Sequence, residues 1–284
     1  MDSDGAVAPA HGAAGEGQAT VITIANQKGG VGKTTTAVSL AAALAQLPRR
    51  VLLIDLDPQG NASSGVGIRA HDAAHTVYDI LLDGVPMEDV VEPTALRNLF
   101  LVPSNIDLAG AEIELVSAFN REQKLRTALS SVREDFDLII IDCPPSLGLL
   151  TVNALTAADG VLVPIQCEYY ALEGLGALHQ NAELIRSNLN PGLDLTGYIL
   201  TMYDGRTRLS DQVVREVIEY FGDRVFHTRI PRSVRLAEAP SYGQPITVFD
   251  PGSRGSVAYH RLARELVDRL DGDPAAPREG GRSS

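Results

Sequence analysis

A chain of 284 residues with 44% hydrophobic and 21% charged side chains has the makeup of a globular protein that buries its own core. Its formal net charge of −12 argues against a protein that coats nucleic acid by bulk charge, while leaving room for a local basic surface. No apolar stretch reaches the roughly 18 residues of a membrane span, no basic-then-apolar leader opens the chain, and two cysteines without CxxC spacing, Cys143 and Cys167, fit a reducing compartment. A cytoplasmic protein is expected.

Residues 1–19 are rich in Ala, Gly, Asp and Pro with almost nothing large to bury, and are expected to form a disordered extension. Residues 271–284, "DGDPAAPREGGRSS", read the same way. Between them, over 20–270, short apolar runs alternate with helical patterns. Strands are predicted at "VITIAN" from Val21, "VLLID" from Val51, "LFLVP" from Leu99, "DLIIID" from Asp137, "GVLVPI" from Gly160, "LTGYILT" from Leu195 and "RVFHTRI" from Arg224. Several are apolar on both faces, which suits a parallel sheet covered by helices on each side. Helices are predicted over "TTTAVSLAAALAQL" and "DQVVREVIEYF". The alternation implies one α/β domain, a doubly wound and mostly parallel sheet with helices on both faces. Ligands of such folds bind at the carboxyl ends of the strands.

The first of those ends carries "NQKGGVGKTT". Gly32, Lys33 and Thr34 complete the phosphate-loop pattern G-x-x-x-x-G-K-[ST], but Gln27 stands where the pattern begins with glycine and Lys28 sits beside it. Gly29, Gly30 and Gly32 let the backbone curl so that its N–H groups turn toward phosphate oxygens, and the helix that follows adds its dipole. Lys33 is the candidate for the β/γ-phosphates and Thr34 for a Mg²⁺ position, the chain thereby reading as a P-loop NTPase. Lys28 has two readings: a solvated ammonium, or a group aimed at the phosphates of a second subunit in the manner of an arginine finger.

Two further strand ends are acidic. Asp142 closes "DLIIID" at the position where a carboxylate holds Mg²⁺ through water. Asp55 and Asp57 follow "VLLI", where a carboxylate can orient an attacking water, although "DPQG" is also good turn chemistry. The residues alone do not choose between the two.

Together "KGGVGKTT", "VLLIDLDPQGNASSGVG", "DLIIIDCPPSLGLLTVNAL", "VPIQCEYYALEGL" and "IPRSVRLAEAPSYGQPI" resemble the ParA/Soj chromosome-partitioning ATPases of the deviant Walker-A group, which also contains MinD. The resemblance runs from about Val21 to Leu270. It implies an ATPase using ATP and Mg²⁺, with Lys28, Gly29, Gly30, Val31, Gly32, Lys33, Thr34 and Thr35 around the nucleotide. Lys28 becomes the signature lysine that contacts nucleotide across a face-to-face ATP-bound homodimer. Lys33 is the loop lysine, Thr34 and Asp142 are the Mg²⁺ positions, and Asp57 is the carboxylate required for hydrolysis. Pro231 and Ser233 match the adenine turn, with Ser233 standing where the family has asparagine.

The resemblance further implies sequence-independent DNA binding by the dimer, slow hydrolysis, stimulation by a ParB/Spo0J-like centromere-binding partner, and association with the nucleoid. Arg206 and Arg235 match family positions implicated in DNA contact. They lie in a segment, residues 201–240, with seven arginines against six acidic residues. A MinD-like membrane cycle is the alternative function, but that group ends in a basic amphipathic helix. Here "RLARELVDRL" has mixed charges and an apolar face suited to docking on the domain. Cys143, after Asp142, reads as a small buried core residue.

Overall fold

A computed structural model describes residues 17–69, 73–169, 171–172 and 175–272. The predicted N-terminal extension up to Glu16, the tail from Asp273, and Tyr170, Glu173 and Gly174 of "VPIQCEYYALEGL" lie outside the described residues.

In chain order the main elements are β1 (Thr20–Ile24), α1 (Lys33–Gln46), β2 (Val51–Asp55), α2 (Asn61–Gly65), α3 (Val77–Leu82), β3 (Glu92–Pro93), β4 (Leu99–Val102), α4 (Leu108–Leu115), α5 (Lys124–Leu129), β5 (Leu138–Asp142), α6 (Leu149–Ala157), β6 (Gly160–Gln166), α7 (Leu175–Asn188), β7 (Asp194–Thr201), α8 (Arg208–Phe221), α9 (Val234–Glu238), α10 (Ile246–Phe249) and α11 (Arg254–Asp271). The strands form one sheet in the order β3-β4-β2-β5-β1-β6-β7. All neighbours are parallel except β3 and β4. The two-residue β3 was not anticipated, and its Pro93 is tolerated because the strand lies at the edge.

Strand pleating sends alternate residues to opposite layers. Leu52, Ile54, Ile139 and Ile141 pack with α3 to α8, while Leu53, Ile140, Ile22 and Ile24 pack with α1, α10 and α11. Each such side chain contributes about 1.5–3 kcal/mol on burial, which is why the central strands are apolar on both faces. The run Ala41–Ala42–Ala43 lets α1 sit tightly between the sheet and α11, with all three residues fully buried. The apolar face of α11, including Tyr259, Leu262 and Leu266, closes over α1 as its pattern predicted.

One predicted strand is not there. "RVFHTRI" begins in a 3₁₀ turn, Gly222–Arg224, and meets β7 through an isolated Tyr198–Val225 bridge and a further hydrogen bond, Ile230 N to Leu200 O at 2.8 Å, without forming a ladder. The amides that would extend a ladder are taken elsewhere. His227 N donates to Glu265 Oε1 at 2.7 Å and Thr228 N to Glu265 Oε2 at 3.0 Å, so a carboxylate of α11 captures this segment.

Candidate nucleotide and metal site

Parallel pairing aligns the carboxyl ends of three strands. Asp142 of β5 is in register with Ile24 of β1 on one side and Asp55 of β2 on the other. The loop from Ala25 to Gly32 therefore starts level with both acids. Its entrance is held by Asn26, which is 4% exposed. Asn26 Nδ2 donates to Pro164 O at 2.7 Å, and its Oδ1 accepts Lys28 N at 2.9 Å. Positive φ angles fall at Gly30 (75°) and Gly32 (89°) and not at Gln27. The glycine absent from position 27 is thus not one that the backbone requires.

Gly32 precedes α1, and the first helical amide bond runs from Thr36 N to Gly32 O at 2.9 Å. Among the described residues no side chain caps this 14-residue helix, and no acid lies in its first turn. The amides of Lys33, Thr34 and Thr35 and the positive end of the dipole therefore converge where an anion is favoured. Lys33 is 7% exposed, and its Nζ donates to Lys28 O at 3.2 Å. Burial lowers the Lys33 pKa, while Asp142, Cys143 and Asp57 act in the opposite direction. Lys28 is half-buried at the loop entrance, with its backbone fixed at both the N–H and the carbonyl.

The three acids differ in what they touch. Asp55 is fully buried, accepts Asp57 N at 3.1 Å through Oδ1, and accepts Ser63 N and Ser63 Oγ through Oδ2, both at 2.8 Å. Burial raises its pKa to about 6 against the pull of those hydrogen bonds. Asp55 thereby organises the turn that presents Asp57. Asp57 is 8% exposed, with Oδ1 accepting Gln59 N at 2.9 Å. Asp142 is fully buried, and among the described residues its carboxylate oxygens meet no hydrogen-bond partner in full geometry, the Thr34 hydroxyl being the group within reach. Burial and then Asp55 push its pKa well up, with Thr34 and Lys33 acting the other way.

An unpartnered buried carboxylate is costly unless something compensates it. Asp142, with the Thr34 hydroxyl nearby, is an oxygen donor set that fits Mg²⁺, which uses one or two protein ligands and keeps its other positions for water and phosphate. Cys143 is fully buried in the core, and burial pushes its thiol well above the usual range.

The segment proposed for adenine reaches the same end of the sheet through β7. Pro231 bridges Tyr203, Tyr203 N donates to Ile230 O at 3.0 Å, and Arg232 N donates to Tyr203 O at 2.9 Å. Ser233 caps α9 without a side-chain hydrogen bond to it. Arg206, its side chain 89% exposed, grips Asp204 with Nε at 2.9 Å and Nη2 at 2.7 Å. Asp204 is held well below the usual carboxylate range, chiefly by Arg206 and with Arg232 also contributing. Arg235 instead pairs with Glu238 at 3.1 Å and Asp250 at 3.2 Å. Arg206 and Arg235 thus answer to different carboxylates. Exposed pairs of this kind are weak enough to be exchanged for phosphate. Two supporting residues escaped the sequence reading, Asn26 at the loop entrance and Thr201 behind the loop. Both are ordinary polar residues, each with a partner distant in the chain.

The pattern of the AAA domain family matches residues 19–195. The sporulation initiation inhibitor protein Soj of Bacillus subtilis is 56% identical over 247 residues, covering 87% of this chain and 98% of that protein. The chromosome partitioning protein ParA of Myxococcus xanthus is 53% identical over 272 residues, covering 95% of each. Among solved structures, cobyrinic acid a,c-diamide synthase from Mycobacterium smegmatis with bound ADP and magnesium superposes with a TM-score of 0.79 at 39% identity, over 89% of this chain and 96% of that one. With relatives this similar over nearly its whole length, and a phosphate loop and two acidic strand ends on a mostly parallel sheet, the chain belongs to the ParA/Soj family of chromosome-partitioning proteins.

Proposed function

We propose that this protein is an ATP-dependent dimerisation switch that binds DNA without sequence preference and hydrolyses ATP slowly in chromosome or plasmid partitioning. Residues 20–270 act as its ATPase domain, between appended segments 1–19 and 271–284. A ParB/Spo0J-like partner stimulates hydrolysis and releases the dimer from DNA, and the protein works in the cytoplasm on the nucleoid. The observation that carries the ATPase reading is the buried Asp142 carboxylate, with the Thr34 hydroxyl and the Lys33 ammonium of the phosphate loop beside it. The nucleotide and magnesium held by the Mycobacterium smegmatis neighbour support it.

The residues divide the work. The loop amides and Lys33 bind the phosphates, and Gly29, Gly30, Val31, Gly32 and Thr35 shape the cradle. Thr34 and Asp142 would hold Mg²⁺, which when bound would neutralise phosphate charge. Asp57, buried close to Lys33, accepts a hydrogen bond from the attacking water. A new P–O bond forms to that water as the γ-phosphorus–oxygen bond to ADP breaks, and the protons of the water leave with the inorganic phosphate. Lys28 neutralises charge on the nucleotide of the second subunit, and Pro231 and Ser233 flank the adenine. Arg206 and Arg235 exchange their carboxylates for DNA phosphates.

No helix among the described residues is long and apolar enough to cross a membrane, and the apolar face of α11 is spent on α1. DNA binding measured with ATP, with ADP and without nucleotide across a salt series tests the reading. Binding that requires ATP and falls steeply with salt is expected. ATP-dependent sedimentation with liposomes and none with DNA would replace it by a membrane cycle.

A further inference from the structure

In a loop whose N–H groups turn inward to phosphate, the carbonyls must turn outward, and a buried carbonyl needs a donor. Val31 is 1% exposed, and its carbonyl accepts a 2.8 Å hydrogen bond from Thr201 Oγ1, a residue 170 positions away at the end of β7. Thr201 is itself 2% exposed, and its carbonyl accepts Cys167 N at 3.0 Å, so the β6–β7 pairing fixes it.

The peptide that Thr201 grips joins Val31 to Gly32. In a planar trans peptide the C=O and the following N–H point in opposite directions. A carbonyl directed at Thr201 therefore directs the Gly32 N–H toward the phosphate side. Gly30 and Gly32, both at positive φ, leave this peptide free to flip, so its orientation has to come from outside the loop. The rest of the Thr201 side chain also lies against the loop, with a Cβ built on Gly32 standing 3.9 Å from Thr201 Cβ and Cγ2.

We infer that Thr201 is a positioning residue of the phosphate loop, its hydroxyl holding the Val31–Gly32 peptide so that the Gly32 N–H faces the nucleotide. The inference rests on the nucleotide-binding reading above. Thr201 touches no reacting atom; it acts through Val31. Because the same orientation serves bound substrate and transition state, its loss should raise KM and leave kcat nearly unchanged.

Thr201→Val keeps the shape and removes the donor, Thr201→Ser keeps the donor and removes the methyl, and Thr201→Ala removes both. Equilibrium binding of Mg-ATP and Mg-ADP to the full chain is compared with steady-state hydrolysis and with melting in the absence of nucleotide. Loss of the buried hydrogen bond predicts roughly tenfold weaker binding of both nucleotides for Thr201→Val and Thr201→Ala. KM should rise by a similar factor, and Thr201→Ser should stay within about twofold of the parent. A packing role alone would lower the melting temperature of Thr201→Ser as well, and would leave the affinity of folded Thr201→Val unchanged. Parental affinity in whichever of the two hydroxyl-free variants folds overturns the inference. A parent that binds neither nucleotide overturns the ATPase reading instead.

Discussion

Glu265 offers the most direct test of why "RVFHTRI" does not extend the sheet. Replacing it with alanine removes the acceptor of His227 N and Thr228 N and the 3.2 Å partner of Arg269 Nη2. Hydrogen bonds to a charged group contribute about 1.5–3 kcal/mol each. The His227 amide can turn to water, so about 2–3 kcal/mol in all is the reasonable sum. For a domain of this size that corresponds to a fall of roughly 5–10 °C in Tm. Arg269 still donates to Val225 O and stacks on Phe226, which keeps the end of α11 attached.

The pH dependence follows from the same contacts. Burial raises the Glu265 pKa, but the amides of His227 and Thr228 and the charge of Arg269 outweigh it and hold the carboxyl below its ordinary 4.5. A carboxyl depressed in the folded state binds fewer protons there than when unfolded. Its contribution is complete above about pH 4.5 and disappears as pH falls through the folded value. Urea denaturation followed by circular dichroism should show a constant gap between the parent and Glu265→Ala from pH 8 to 5, narrowing below. Equal midpoints at pH 7, or a gap that persists undiminished below pH 4, would refute the reasoning.

Further outcomes concern the site. Asp142→Asn removes a carboxylate buried against Asp55 and Asp57 and should raise the stability of the nucleotide-free protein by about 1–3 kcal/mol while abolishing the Mg²⁺-dependent part of nucleotide binding. A lower melting temperature would contradict that. Asp57→Ala should keep ATP binding and lose hydrolysis, whereas Asp55→Ala strands three donors and should cost about 2–4 kcal/mol of stability. Parental turnover in Asp57→Ala would end its assignment. Lys28→Ala should still bind ATP as a monomer but fail to dimerise with it in analytical ultracentrifugation; loss of monomer binding would place Lys28 in its own subunit's site. Arg206→Ala and Arg235→Ala should each reduce the salt slope of DNA binding by about one without changing ATP affinity. Unchanged DNA affinity would move the surface elsewhere.

Much of this was legible in the chain because the features are local. A buried strand must be apolar on both faces, and a phosphate loop needs glycine, lysine and threonine at consecutive positions. So "VLLID" and "DLIIID" read as strands, and Lys33, Thr34 and Asp142 read as companions along the chain. The register of β1, β2 and β5 then explains why those companions share one edge. The strand expected from Arg224 failed for the opposite reason. Its composition suits a strand, but the acceptor of its amides is decided by a carboxylate some forty residues further on.

By itself the sequence determined the parallel α/β sheet, the phosphate loop and the acidic strand ends, since each is written in residues adjacent along the chain. Only the tertiary structure showed how Asp55 and Asp57 differ in their surroundings, with three donors on the first and Gln59 N on the second. It also decided that the position of Gln27 needs no glycine and that Thr201 stands behind Val31. Hydrogen-bond partners brought together by folding leave no periodicity in the sequence, so no pattern along the chain announces them.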